Sequence, residues 1–164
     1  MVVLLAFSLG PVSAQGKEPA KVFKPAIDQI WGKTPIPILL PTKLPAAISE
    51  KDVKLALGDV SSNGYGISLY YDEIGTNATF AASFAAFRES LRDVPNVRRV
   101  TLANGIVGKF RPVSCGGSCA PANLWWEQNG VTYQIQIKLR SDTDEKEQEK
   151  ILVESANSSV TVRR

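Results

Sequence analysis

The Asn-Gly dipeptides at residues 104–105 and 129–130 constrain the fold of this 164-residue chain more than any other feature. Asn-Gly is the preferred sequence of the two-residue type I′ turn, in which both residues take a positive φ and which joins antiparallel strands. A turn of that length also fixes which residues lie opposite one another. The sequence therefore predicts two β-hairpins, over residues 97–112 and over residues 122–139.

The second hairpin is predicted to have one buried face and one wet face. A two-residue loop sets Trp126 opposite Tyr133 on an apolar face, because side chains alternate across a sheet. Trp125 and Gln134 then share the opposite, polar face, so we expect Trp125 to be much more exposed than Trp126. Trp125 and Gln134 are accordingly candidate binding residues. The other members of the apolar face are Leu124, Val131, Ile135 and Ile137.

The first hairpin, closed by the same kind of turn, crowds three cations together. Its predicted register sets Arg98 opposite Arg111, with Lys109 on the same face and Arg99 on the other. Like charges that lie directly opposite each other destabilise a sheet. Two hypotheses follow: either an acid from residues 144–154 or the solvent neutralises the arginines, or the two guanidinium groups grip an anionic ligand. Arg98, Lys109 and Arg111 are therefore candidate binding residues.

The remaining elements follow from side-chain periodicity. Residues 53–60 and 65–72 alternate and predict strands, and a short amphipathic helix is expected to begin near Pro25. Residues 143–155 predict a C-terminal helix, capped by Ser141 or Thr143, that docks on the sheet. The expected fold is a single α+β domain over residues 34–160, mainly an antiparallel sheet with this helix packed on it, preceded by an N-terminal segment over residues 15–33.

Two segments are harder to assign. Residues 34–45 hold four prolines, which exclude a helix and a central strand and favour an extended run along a sheet edge. We expect its aliphatic side chains to face the core, although such a run could also be a ligand for an aromatic groove. Residues 78–92 fit both a helix and a strand, and their periodicity slightly favours a helix.

Export is predicted from residues 2–14, which are apolar and end in a small-x-small site before a polar run. Thirteen residues are too few to span a bilayer, so we expect a signal peptide over residues 1–14, which is either truncated or begins further upstream. A buried helix or a re-entrant segment is the alternative. The mature chain is expected to be soluble, without a transmembrane segment, in the periplasm, a lumen or the medium.

The cysteines agree with that compartment. Cys115 and Cys119 lie in one Gly-rich loop, which predicts a structural disulfide; a redox-active dithiol is the alternative, but the spacing is not Cys-x-x-Cys.

Composition excludes several function classes. The chain has no histidine, which removes histidine-based nucleophiles and imidazole metal sites, and we expect neither metal nor cofactor. Its net charge is only +3, so a nucleic-acid partner is not expected. An enzyme could use Asp72 with Glu73, or a Ser-Lys dyad. No motif fixes such a geometry, however, and neighbours on a strand point to opposite faces.

Three segments together resemble a group of small exported proteins associated with cyanobacteria and some other bacteria. They are residues 36–45, residues 100–110 running into the loop 115–119, and residues 124–133 followed by the terminal helix. The last hairpin and helix are also similar to a domain of unknown function in exported or membrane-tethered bacterial proteins. The resemblance carries no established activity or catalytic residue. It implies an extended conformation for residues 78–86.

The sequence thus predicts a non-enzymatic binding or interaction module of the cell envelope, and the candidate partners are an envelope protein and an anionic ligand. The alternatives are a carrier of a lipid or other apolar ligand on a curved sheet and, less favoured, a hydrolase.

Overall fold

The structure is a computed structural model that describes residues 17–90, 94–116 and 118–163. Its centre is a seven-stranded antiparallel sheet in the order β2-β3-β4-β10-β9-β6-β5. The predicted α+β domain, with a C-terminal helix on a largely antiparallel sheet, is confirmed. The strands are β1 (Leu39–Pro41), β2 (Leu55–Val60), β3 (Gly64–Tyr70), β4 (Phe80–Phe87), β5 (Arg98–Thr101), β6 (Val107–Arg111), β7 (Ser114–Cys115), β8 (Cys119–Ala120), β9 (Ala122–Gln128), β10 (Val131–Ile137) and β11 (Ser159–Thr161).

Two helices pack on one side of this sheet, which we call the inner face. Helix α1 (Lys24–Ile30) packs on β2 and β3, and α2 (Glu145–Asn157) packs on β9 and β10. The ring of Phe23, which precedes α1, meets that of Phe84 edge-on at 5.0 Å between centroids. Leu152 of α2 is fully buried. The hydrophobic core therefore lies between the helices and the inner face.

The β9–β10 hairpin has the predicted register. Asn129 and Gly130 have φ angles of 54° and 73°, as a type I′ turn requires. Trp126 lies opposite Tyr133 and stacks on it with 5.6 Å between ring centroids. Both side chains belong to the core.

The β5–β6 hairpin differs from its predicted register by one residue. Arg98 lies opposite Phe110, not Arg111, and Arg99 lies opposite Lys109. The loop has three residues, Ala103–Gly105, and Gly105 has a φ of 74°. The prediction was wrong because it relied on the turn dipeptide and ignored burial. In the observed register Val100 and Phe110 share the inner face and are both buried, whereas a two-residue loop would point them to opposite faces.

Residues 80–87 form a central strand, so the helical preference of residues 78–92 is wrong and the extended conformation implied by the resemblance for residues 78–86 is confirmed from Phe80 onward. Alternating small and aromatic side chains explain the choice, because Ala82, Phe84 and Ala86 all lie on the inner face. Residues 91–93 lie outside the described residues.

The proline-rich segment is extended, as predicted, but it does not border the main sheet. Its strand β1 pairs with β11 in a separate two-stranded sheet on the helix side. Ile36, Ile38 and Leu40 are buried, and Leu39 is only partly buried.

Two further predictions concern the chain termini. Helix α2 begins at an Asp144 cap, whose carboxylate accepts the N–H groups of Lys146 and Glu147, rather than at Ser141 or Thr143. Asp144 is better placed because its side chain directly precedes the first turn. The predicted signal peptide lies outside the described residues.

Candidate functional site

The outer face of the seven-stranded sheet carries a groove of about 790 Å³. The floor is formed by β3, β4 and β10, and one wall by residues 118–121. Residues 118–120 belong to the disulfide arm, which we define as the described residues 114–116 and 118–120 and which contains strands β7 and β8. The predicted disulfide is confirmed, since Cys115 and Cys119 are bonded and lie opposite each other in the arm.

Neutral polar groups and two aromatic rings line this groove. Ser68, Ser83 and Gln136 lie in one row across three neighbouring strands, and Ser83 Oγ lies 3.5 Å from Gln136 Oε1. Beside that row, the half-buried rings of Tyr70 and Phe80 meet edge-on at 6.1 Å. Lys138 contributes a cation, but its Nζ already donates to the Ala78 carbonyl at 2.7 Å. The lining residues include no carboxylate.

Sequence reasoning missed this groove, although a signal for it was present. The alternation in residues 65–72 and 131–138 places Ser68, Tyr70 and Gln136 on one face. What the sequence could not provide is the pairing of β10 with β4, distant in the chain, which brings those rows together.

Trp125, a predicted site residue, lies on the expected face but is not exposed. Its exposed fraction is 7%, against 5% for Trp126, so the predicted contrast is wrong. The physical reason is that long side chains cover it: Lys109 and Gln134 lie on either side, and the Arg111 guanidinium stacks 5.2 Å from its ring centroid. Gln134 is half-buried and donates through Nε2 to the side-chain Oδ1 of Asn123 at 2.7 Å.

Arg98 points away from the other candidate cations. On the inner face its Nε donates to Glu149 at 2.6 Å, its Nη1 lies 3.4 Å from Glu145, and its guanidinium stacks on Phe110. An acid from α2 therefore neutralises Arg98, as the first of the two hypotheses predicted. The second, an anion gripped by Arg98 and Arg111 together, is wrong, because these residues lie on opposite faces of the sheet.

Three cations nevertheless share the outer face, with Arg99 in place of Arg98. We call Arg99, Lys109, Arg111 and Trp125 the cationic cluster. Arg99 lies directly opposite Lys109, which in turn lies opposite Trp125. A shallow depression of about 290 Å³ is lined by Arg99, Lys109 and Trp125, together with Glu127.

Arg111 carries an unsatisfied donor. Its Nε is buried and has no hydrogen-bond partner within the described part of the chain. A buried donor left in that state costs on the order of 1–3 kcal/mol. Arg111 therefore lowers the stability of the fold through this unpaired donor.

Asp72, one of the two acids considered for catalysis, closes a turn. Asp72 Oδ1 accepts the N–H groups of Gly75 at 2.8 Å and Ile74 at 3.2 Å, which closes a turn. The Gly75 hydrogen bond is the main reason that the pKa of Asp72 lies below its ordinary value. The described residues contain no group of three acidic or cysteine side chains that could hold a metal ion. None of their helices is long and apolar enough to cross a bilayer.

Comparison of the chain with protein-family models, with curated proteins and with solved structures finds no match. The family resemblance stays a prediction, and the functional argument depends on the geometry described above.

Proposed function

We propose that the protein is a non-enzymatic binding module that holds a polyhydroxylated ligand, such as an oligosaccharide of the cell envelope, in the outer-face groove. The observation that carries this proposal is the groove itself: about 790 Å³ on the helix-free side of the sheet, with hydroxyl and amide groups beside two rings. A volume of that size falls in the range of small-ligand sites.

The lining chemistry favours neutral groups with many hydroxyls in the part of the ligand that lies in the groove. Serine hydroxyls and glutamine amides both donate and accept hydrogen bonds, so they match ligand groups that do the same. Tyr70 and Phe80 add apolar ring surface against which the carbon skeleton of a sugar can pack. The covalent bridge in the disulfide arm restrains one wall of the groove, so less conformational entropy is lost when a ligand binds.

The alternatives receive less support. A hydrolase acting through paired carboxylates lacks them in this groove. A carrier of an apolar ligand needs a free apolar face, but the apolar inner face is filled by Phe23, Ile30 and Leu152, each fully buried.

The test is binding of the purified protein to an array of neutral oligosaccharides, followed by calorimetric titration of the strongest binder. Tyr70→Ala should weaken that affinity at least ten-fold, because it removes a ring from the groove. Tyr71→Ala is the matched control, since Tyr71 is the next residue and does not line the groove. The proposal is contradicted if no oligosaccharide binds, or if the two variants bind equally well.

A further inference from the structure

We infer that the cationic cluster is a subsite for an anionic group, a carboxylate or a phosphate, of the ligand held in the neighbouring groove. The inference rests on the proposed function for the rest of the ligand, but its own evidence is separate. That evidence consists of an unfavourable charge arrangement, an unsatisfied guanidinium and the position of the cluster relative to the groove.

The charge arrangement works against the fold. Arg99 and Lys109 face each other directly across β5 and β6, and like charges in that position destabilise a sheet. Arg98, one residue earlier, differs from these cations because it forms ion pairs with two glutamates of α2. Arg99, Lys109 and Arg111 form no ion pair of 4.0 Å or less within the described residues. The carboxylate that lines the depression together with Arg99 and Lys109 is that of Glu127. Two cations and one acid line the depression, and Arg111, two residues from Lys109 on the same face, adds a third positive charge to the cluster.

The guanidinium of Arg111 is oriented in advance. A cation–π contact, with Cζ 5.2 Å from the Trp125 ring centroid, restrains the guanidinium, while its buried Nε lacks an acceptor among the described residues. A planar guanidinium offers parallel donors that match the oxygens of a carboxylate or phosphate. An anion in contact with the guanidinium would offset part of the free-energy cost of its buried, unpaired Nε.

The cluster and the groove lie on the same face of the sheet, with the buried Asn123 between them. Gln136 on the groove floor lies opposite Asn123, which lies opposite Arg111 on the next strand. Two strand spacings therefore separate the floor from Arg111, about 10 Å. Val113, two residues beyond Arg111, itself lines the groove. An extended ligand can reach both sites at once.

The experiment compares tetragalacturonate with its neutral tetramethyl ester, which shares its sugar skeleton but replaces each carboxylate by an uncharged methyl ester, at low and high salt. The parent protein should bind the acid at least ten-fold more tightly than the ester at low salt, and added salt should shrink that ratio. Lys109→Gln and Arg111→Gln should each reduce the preference at least three-fold and leave ester affinity unchanged. Lys43→Gln, which removes an exposed charge on the helix side, is the matched control.

A stability measurement separates this role from a structural one. Lys109→Gln relieves the repulsion from Arg99, so the variant should be as stable as the parent or more stable while its preference for the acid falls. Equal binding of acid and ester by the parent, or an equal effect of Lys43→Gln, would overturn the inference.

Inorganic phosphate distinguishes this inference from the proposed function. Phosphate should shift the Trp125 indole N–H resonance in the parent but not in Arg111→Gln. That result supports the anion subsite even if neither sugar binds, in which case only the proposed function of the groove is contradicted. If the ester binds but the acid is not preferred and phosphate causes no shift, only the inference about the cationic cluster is contradicted. Absence of all three kinds of binding contradicts both.

Discussion

Two buried tyrosines fasten the proline-rich segment to the sheet. Tyr65 Oη accepts the N–H of Leu39 at 2.9 Å, and Tyr133 Oη donates to the Pro37 carbonyl at 3.3 Å. Proline has no amide donor, so the few remaining backbone groups of this segment depend on such partners. Burial raises the pKa of both phenols, because the ionised form would lose its solvation.

Tyr65→Phe should therefore lower the free energy of unfolding by about 1–3 kcal/mol, since it leaves the Leu39 N–H without an acceptor. The folded-state pKa of Tyr65 lies above its ordinary 10.0, so its contribution is complete below that pH and is lost as the pH rises further. Urea unfolding at pH 7 and at pH 11 checks both points. Tyr70→Phe, which changes a half-buried ring in the groove, is the control; equal losses in the two variants would refute the argument.

At the scale of the elements, α1 both covers and protects the edge strand β2. The Gly58 N–H donates to Gln29 Oε1 at 2.8 Å, so a side chain of α1 occupies a position that another strand could otherwise take. A Cβ added at Gly58 would lie 2.5 Å from the Ala26 carbonyl oxygen. Glycine is needed there because the helix backbone approaches the strand so closely.

Gly58→Ala should destabilise the protein by about 1–3 kcal/mol, because α1 must move away from β2. Gly66→Ala, on the paired strand, should change stability by no more than about 0.5 kcal/mol. There the nearest atom to the new Cβ is a carboxylate oxygen of exposed Asp59, which can rotate away. Thermal unfolding of both variants makes the comparison, and a Gly66→Ala loss as large as that of Gly58→Ala would show that helix contact is not the cause.

At the scale of the whole molecule, the sheet separates a packed side from an open side. The helices and the two-stranded sheet fill the inner side, and the disulfide arm borders the outer one. The described residues of the arm are all exposed, so the arm adds a wall to the groove and little to the core.

The double variant Cys115→Ser, Cys119→Ser should consequently keep the fold. Closing a five-residue loop accounts for about 2 kcal/mol on the loop-entropy model, which sets the expected loss of stability. Near-ultraviolet circular dichroism should retain the tryptophan signal of the parent, and unfolding should remain a single transition. A variant without cooperative unfolding would mean that the arm supports the core after all.

The sequence by itself determined the features that depend on neighbouring residues. The Asn129-Gly130 turn sets its own register because two residues with positive φ close a two-residue loop. The disulfide and both helices likewise follow from short-range spacing and periodicity. Even the β5–β6 register was readable, since Val100 and Phe110 can share the inner face only with a three-residue loop.

Only the tertiary structure decided which strands lie side by side and which side chains are covered. The β4–β10 and β6–β9 pairings join distant segments, and they create the groove and bring Arg111 over Trp125. A hairpin pattern predicts on which face Trp125 lies, but burial depends on what the neighbouring strands place over it. The favourable free energy of burying apolar groups such as Val100 and Phe110, about 1.5–3 kcal/mol per side chain, exceeds local turn preferences and determined the final arrangement.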